Sequence, residues 1–230
     1  MDTTKEEYIR NLIESLKGVK YITPDDIPNI DLYMDQVTTF MDKHLKSSKR
    51  YNDDKLLTKT MINNYTKNEL LPPPYKKKYS KEHMYLLIFI YYFKNILSIN
   101  DIQSIFNPLT KRYYGGNSDI DLEDIYKEVF RLQEEQTDAL TKDMIRKMTK
   151  AKESFAYVTD KEDHDFLTMF SFITMLCFDV YMRKHMIENM IDQSLMGDTH
   201  EPDKGVKKDD HNNGAKQNDG KKNGNKPTVK

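Results

Sequence analysis

The sequence contains no tryptophan, a single cysteine and only eight glycines among its 230 residues. The lone thiol, Cys177, excludes an intrachain disulfide framework, which fits a reducing compartment. Five of the glycines lie from Gly197 onward, where large apolar residues are almost absent. Such a segment cannot bury enough apolar surface to offset its conformational entropy, so we predict that residues 197–230 are disordered. Residues 1–196 hold nearly all the large apolar side chains.

Long hydrophobic runs are also missing. The longest, residues 85–93 and 166–182, fall short of the roughly 20 residues that a bilayer-spanning helix needs, and Asp179 interrupts the second. The acidic, polar first residues do not resemble a secretory signal. We therefore expect a soluble, cytoplasmic protein without membrane contact.

Constellations typical of enzymes are not evident. The six histidines are scattered, and the Asp-His-Asp run at residues 163–165 points in different directions if it is helical. His83 lies at an expected helix start, where a solvated side chain is predicted. Cys177 has no neighbouring base that would activate it. We predict no enzymatic activity, no cofactor and no metal site.

Positive charge is concentrated in one part of the chain. The formal net charge is −1, but residues 43–81 carry eleven lysines or arginines against three acidic residues, a net charge of +8. Phosphate binding requires such a concentration of positive charge, because each neutralised phosphate releases counterions. A composition biased toward lysine is the alternative explanation.

This basic segment (residues 43–81) contains a predicted helix followed by a basic loop. Thr58 is a candidate N-cap, and Ile62 and Tyr65 fall at helical spacing, so one face of the helix can be buried. Asn68 is expected to end the helix in the left-handed conformation. Three prolines then exclude helix and central strand, and an apolar helix is expected over residues 83–97.

Other helices are expected on both sides of the basic segment. The first, near the N-terminus, has one apolar stripe and is expected to lie on the C-terminal helices. The remaining limits follow from capping patterns and prolines. The expected helices run from Asn29 or Asp31 to about Leu45, from Ser98 to Pro108, from Ser118 or Asp119 onward with or without a break near Thr137, and from Thr159 to about Leu195.

This order of elements resembles the DNA-binding half of the MerR-type regulators, a winged helix-turn-helix. In that family the second helix ends in a Tyr-Tyr pair and a Gly-Leu-Leu-Pro exit. A wing ending in Tyr follows, and the next helix pair opens on Leu-x-x-Ile. The corresponding residues here are Ile62-Asn63-Asn64-Tyr65, Leu70-Leu71-Pro72, Tyr79-Ser80 and Ile99-Asn100-Asp101-Ile102. The family has Arg at the place of Asn63, Tyr at Asn64 and Gly at Glu69.

The wider pattern is similar to that of a bacterial family, domain of unknown function 1836, usually described as MerR-like. Its typical opening, Ile-Pro-x-Ile-x-Leu-Tyr-Met-Asp-Gln-Val, matches residues 27–37, and the resemblance covers about residues 20–185. It implies a mainly α fold with at most a small β wing. The expected parts are an N-terminal helix (1–19), a winged helix-turn-helix domain (20–112), a helical C-terminal domain (113–196) and a disordered tail (197–230).

The resemblance implies double-stranded DNA as the partner. Asn63 and Asn64 are best suited to base contacts, because Asn pairs bidentately with adenine. The three consecutive lysines of the wing are expected to hold phosphates. Tyr65 is either buried against the wing or a phosphate donor. The full set of expected DNA contacts is Lys59, Thr60, Asn63, Asn64, Tyr65, Lys67, Lys76, Lys77, Lys78 and Tyr79.

The final predicted helix is apolar on nearly all sides, since thirteen of the seventeen residues 166–182 are apolar. That pattern is typical either of a bundle centre within one chain or of a helix shared by two chains. In a homodimer the interface residues are Phe166, Phe170, Ile173 and Cys177. Near-complete burial is expected for Leu87, Ile88, Phe170 and Ile173.

Two functions follow. The leading expectation is a dimeric, DNA-binding transcriptional regulator of MerR-like type. The alternative is a non-enzymatic, all-helical interaction or adaptor module that no longer binds DNA, which Asn63, Glu69 and the short wing favour. An unknown small-molecule effector or protein partner of the C-terminal half is compatible with both functions, and the sequence indicates no particular ligand.

Overall fold

The computed structural model describes residues 3–15, 21–51, 53–116 and 118–194. The chain forms two compact units, residues 1–197 and 198–230. The second unit lies outside the described residues, so the predicted disorder of residues 197–230 stays a prediction. The described residues all belong to the first unit.

The described part of this unit is mainly helical, which confirms the predicted mainly α character of the fold. A pair of two-residue strands forms its small antiparallel sheet, and two short 3₁₀ helices, Pro24–Asp26 and Lys46–Ser48, lie in the connections. The main elements are α1 (Thr3–Ser15), β1 (Leu32–Tyr33), α2 (Met34–Leu45), α3 (Lys59–Lys67), β2 (Lys78–Tyr79), α4 (Lys81–Phe93), α5 (Ile99–Tyr113), α6 (Leu122–Ser154) and α7 (Lys161–Ser194).

The main core is built around α4, whose residues 83–91 are all buried. Helices α2, α3 and α5 and the start of α6 pack on it, with Tyr126 of α6 fully enclosed. A second, smaller cluster joins α1 to the far end of α6 and to α7 through Ile9, Ile13, Met148 and Phe172. The predicted position of the first helix, on the C-terminal helices, is therefore confirmed.

Two predicted helix caps are confirmed by their hydrogen bonds. The Thr58 hydroxyl accepts from the Met61 N–H (3.2 Å), and the Ser98 hydroxyl accepts from the Asp101 N–H (3.2 Å). The Asp101 carboxylate in turn accepts from the Ser98 N–H (3.0 Å), which completes a capping box. These local signals fix where α3 and α5 begin.

Other predicted starts are wrong by a few residues. Helix α2 begins after Tyr33 rather than at Asn29 or Asp31, because residues 32–33 pair with β2 and the Tyr33 N–H donates to Gln36 Oε1 (2.8 Å). Helix α6 is capped by Asp121 rather than by Ser118 or Asp119, and it has no break near Thr137. Helix α7 is capped by Asp160, which accepts from the Asp163 N–H (2.9 Å), rather than by Thr159.

Two predicted helix ends are also wrong. Helix α4 stops at Phe93, and a turn follows before Leu97. Helix α5 passes through Pro108 instead of ending there. Its apolar face continues on both sides of the proline, with Phe106 buried and Leu109 partly buried against the main core. That packing offsets the hydrogen bond that a proline removes from a helix.

Candidate nucleic-acid interface

Helix α3 is held by one face and exposes the other. Ile62 and Tyr65 are buried in the main core, and α2 packs beside the helix. The helix is amphipathic because these positions recur at helical spacing. The exposed face carries five of the residues predicted to contact DNA: Lys59, Thr60, Asn63, Asn64 and Lys67.

The exit from α3 is a left-handed turn, but Asn68 is not its left-handed residue. Asn68 has φ −93°, whereas Glu69 has φ +56°. The Leu70 N–H donates to the Tyr65 carbonyl (2.9 Å) and the Glu69 N–H to the Thr66 carbonyl (3.2 Å). This is a Schellman motif, in which glycine is the usual left-handed residue. The carboxylate of Glu69 is therefore exposed at the end of the polar face.

A tight hairpin follows the three prolines. Lys76 and Lys77 both have positive φ, +48° and +65°, and the Lys78 N–H donates to the Tyr75 carbonyl (2.9 Å). Positive φ at both central residues defines a type I′ turn, which favours Asn-Gly. Two lysines in this conformation cost about 1 kcal/mol or more each. The turn exposes both of their side chains.

The hairpin is held to the core through β2, which pairs with β1. Strands β1 and β2 pair Leu32 with Tyr79 and Tyr33 with Lys78. Leu32 and Tyr79 are buried, and burial raises the pKa of Tyr79 and also that of Tyr65 in α3. Of the ten residues predicted to contact DNA, these two tyrosines therefore lie in the core. The other eight lie on the surface, with Lys78 half-buried.

Helix α3 and the hairpin are joined through the start of α2. Lys59, the first residue of α3, forms an ion pair with Asp35, which lies two residues after Tyr33 of β1. At the other end of α3, the Gln103 side chain of α5 donates to the Asn68 carbonyl (3.0 Å). Both ends of the exposed face are thus held to neighbouring elements.

His83 is a residue that sequence reasoning placed in solvent and that is instead buried, at 2 % exposure. Its Nδ1 accepts from the Ser80 N–H (2.9 Å), and its Nε2 lies 3.1 Å from the Tyr114 hydroxyl. Burial lowers the pKa of His83, against the opposing effect of the Pro72 and Pro73 carbonyls and the charge of Asp31. The neutral imidazole therefore ties the proline exit to α4 and to the end of α5.

One acidic residue connects this region to the C-terminal helices. Glu123 of α6 lies 2.8 Å from the Lys127 ammonium and 2.9 Å from the Lys81 ammonium of α4. Hydrogen bonds from Lys127 and then from Lys81 lower the pKa of Glu123 to about 2. Lys81, which was counted in the basic segment, is thus neutralised locally.

The predicted interface residues of α7 are exposed in the single chain. Phe166, Phe170 and Ile173 are 66 %, 58 % and 52 % exposed, and Cys177 is exposed as well. The expectation that Phe170 and Ile173 are inaccessible is wrong for one chain, because α7 contacts α1 and α6 through a different face containing Phe172. Leu87 and Ile88 are both 0 % exposed, as predicted.

Within the described ranges, α7 also has the length and composition of a membrane-spanning helix. An 18-residue window between Lys161 and Gln193 has a mean hydropathy of 1.4 and is 11 % buried. The sequence did not predict such a helix, because the longest apolar runs fall short of roughly 20 residues and Asp179 interrupts the second. In the same part of the chain, no group of three His, Cys, Asp or Glu side chains is placed to hold a metal ion.

Comparison with family models gives a match over the part of the chain that contains α3 and the hairpin. Residues 22–129 match the family model described as Domain of unknown function (DUF1836). That segment runs from the residues before β1 into α6 and contains α3 and the hairpin. The predicted resemblance to this family is confirmed over these residues, a shorter range than the predicted 20–185. Comparisons with curated proteins and with solved structures gave no match.

Proposed function

We propose that this protein is a DNA-binding transcriptional regulator of MerR-like type. In this proposal α2 and α3 are the two helices of a winged helix-turn-helix, and the Lys76–Lys77 hairpin is its wing. One observation supports this proposal. The polar face of α3 and the turn formed by Lys76 and Lys77, which we name the lysine turn, are two exposed surfaces joined through Asp35 and the β1–β2 pair. A strained turn that holds cations outward is typical of a functional site.

The polar face of α3 supplies the chemistry for base contacts in the major groove. Asn63 and Asn64, five and six residues after the N-cap Thr58, are exposed, and neither belongs to the buried side. An Asn side chain can donate to and accept from adenine at once. Lys67 of this face and Lys76 and Lys77 of the turn are exposed cations that fit phosphate contacts, which position the protein without selecting sequence.

A homodimer completes the proposal. The exposed apolar residues Phe166, Phe170, Ile173, Cys177 and Val180 recur at intervals of four, three, four and three. This is the heptad spacing of helices that pack in a coiled coil. We name these five residues the α7 stripe. A second copy of α7 is a suitable partner, because it brings an identical stripe of the same length.

Charges flanking the α7 stripe favour an antiparallel pair. Residues 160–165, before the stripe, contain four acidic residues and Lys161, whereas Arg183 and Lys184 follow it, with Lys184 3.3 Å from Glu188. Antiparallel packing places the acidic start of one helix near the basic end of the other, whereas parallel packing places like charges together. Attraction of this kind sets partner orientation in coiled coils.

Equilibrium binding to duplex DNA tests the proposal. A fluorescent duplex from the region upstream of the protein's own gene and a scrambled duplex are titrated with protein at three salt concentrations. We expect a preference for the native duplex and an affinity that falls steeply with salt. In Asn63→Ala/Asn64→Ala the preference should disappear, with a loss of about 1–3 kcal/mol for each lost base contact.

The lysine turn has its own variant and control. Lys76→Gln/Lys77→Gln should weaken binding to both duplexes alike and reduce the salt dependence, since phosphate contacts carry no sequence information. The matched control is Lys142→Gln/Lys150→Gln, which removes two exposed lysines of α6. Weak binding of the wild type to every duplex at every salt concentration would contradict the proposal.

The adaptor alternative has its own supporting observations. Lys59 is already paired with Asp35, and the exposed Glu69 carboxylate lies where it would repel a phosphate. Both features reduce the positive charge available at the ends of α3. A wild-type protein that ignores DNA yet dimerises would favour this alternative.

A further inference from the structure

The solvent-facing side of the small sheet formed by β1, β2 and Tyr75 carries a row of three side chains. Tyr33 pairs with Lys78 across β1 and β2, and Lys78 pairs with Tyr75 across the turn. Directly paired residues of antiparallel strands project to the same face. Tyr33, Lys78 and Tyr75 therefore form one row, which we name the tyrosine–lysine row. The opposite face bears the buried Leu32 and Tyr79.

Both rings of this row are open to solvent. Tyr33 is 53 % exposed and Tyr75 is 72 % exposed. Each has an ammonium over its ring: Lys78 Nζ lies 5.3 Å from the Tyr33 centroid, and Lys76 Nζ lies 5.1 Å from the Tyr75 centroid. A tight turn and a buried strand face hold the backbone, so the sheet rather than a flexible loop sets the positions from which the two rings project.

Exposed aromatic rings interleaved with lysines match the chemistry of strands with unpaired bases. Each base offers a π-face to an aromatic ring, and its phosphates attract adjacent cations. Because Tyr33 and Tyr75 pair with Lys78 from opposite sides, their backbones are two strand spacings apart, about 10 Å, and each ring has room for its own base. Asp35, an acidic residue close to this row, is paired with Lys59.

We propose that the tyrosine–lysine row binds unpaired bases of a nucleic acid strand. Tyr33 and Tyr75 each stack on one base, while Lys78 and Lys76 contact the intervening phosphates. This activity does not depend on base contacts by α3, although Lys76 is assigned a phosphate contact in both. Single-stranded DNA and single-stranded RNA share this chemistry.

The test measures fluorescence anisotropy of labelled oligo(dT) and oligo(rU) of about 12 nucleotides, a length within the range of known single-strand sites. Wild type is compared with Tyr33→Leu/Tyr75→Leu, which keeps apolar bulk and removes both rings. The control, Tyr33→Phe/Tyr75→Phe, keeps the rings and removes only the hydroxyls. The duplex from the preceding section is titrated in parallel.

We expect the leucine variant to lose about tenfold or more in single-strand affinity, the range of one to two lost stacking contacts. The phenylalanine variant should stay within about twofold of wild type, and duplex binding should be unchanged in both. Lys78→Gln gives an independent loss without altering either ring. A preference of the wild type for oligo(dT) or oligo(rU) identifies which nucleic acid the row binds.

Two outcomes would overturn the inference: no binding of the wild type to either oligonucleotide, or a leucine variant that binds as tightly as wild type. The second would mean that charge alone holds the strand. Neither outcome tests duplex binding by α3, which the duplex titration with Asn63→Ala/Asn64→Ala tests separately.

Discussion

Helices α4 and α7 are both strongly apolar, yet they have opposite fates in the folded chain. In α4, residues 83–91 are buried without interruption, because α2, α3, α5 and α6 surround it. In α7, Phe172 is buried against α1 and α6, while the α7 stripe faces solvent. Hydrophobicity thus indicates that a helix needs a partner, but it does not indicate whether the same chain supplies one.

Truncating one side chain in each helix is expected to give the largest difference, measured as the loss in free energy of unfolding. Leu87→Ala in α4 should lower the free energy of unfolding by about 2–5 kcal/mol, since it removes a fully enclosed side chain. Phe170→Ala in α7 should cost no more than about 0.5 kcal/mol at protein concentrations where the chain is monomeric, because the ring is already exposed. Urea unfolding of both variants checks this.

That experiment also has a clear contrary result. Equal losses for Leu87→Ala and Phe170→Ala under monomeric conditions would mean that the α7 stripe is covered within the chain. A loss for Phe170→Ala that grows with protein concentration would instead support pairing between copies, because association stabilises only the folded state.

The next effect concerns assembly. Ile173→Asp places a charge at the centre of the α7 stripe, and we expect it to halve the molar mass measured by light scattering after size exclusion. The monomer should remain folded, since Ile173 is 52 % exposed. Tyr157→Asp is the control, because Tyr157 is 76 % exposed and lies between α6 and α7, outside the stripe. A wild type that is monomeric at all concentrations would contradict the dimer.

Much of the local structure could be predicted because its causes are local. The Thr58 and Ser98 caps, and the division of α3 into a buried and a polar face, depend on residues a few positions apart. The polar surface of the candidate site was therefore predicted, apart from Tyr65 and Tyr79, which serve the core. For these two residues, the aromatic type alone does not distinguish packing from contact with DNA.

What could not be predicted depends on distant parts of the chain. Asn68 is intrinsically a better left-handed residue than Glu69, but the buried contact of Leu70 sets the turn one residue later. The same holds for Pro108, which packing carries through a helix, and for the tyrosine–lysine row, which exists only once β1 pairs with β2. For the exposed side of α7, the sequence left two alternatives open, because the same spacing fits a bundle centre within one chain and a helix shared by two chains.

The smallest expected effect compares one histidine from each helix. His83 of α4 is buried and its pKa lies below the ordinary 6.5, mainly through burial, whereas His185 of α7 is exposed. A group with a lowered folded pKa takes up its proton first in the unfolded chain. The contribution of His83 to the stability of the fold is therefore fully present above about pH 6.5 and is lost as the pH falls from there through the folded pKa.

Urea unfolding of wild type, His83→Gln and His185→Gln across this range measures the slope of stability against pH. We expect His83→Gln to flatten that slope and His185→Gln to leave it unchanged. An unchanged slope in His83→Gln would mean that carboxylates, and not the buried imidazole beside the proline exit, set the acid sensitivity of the fold.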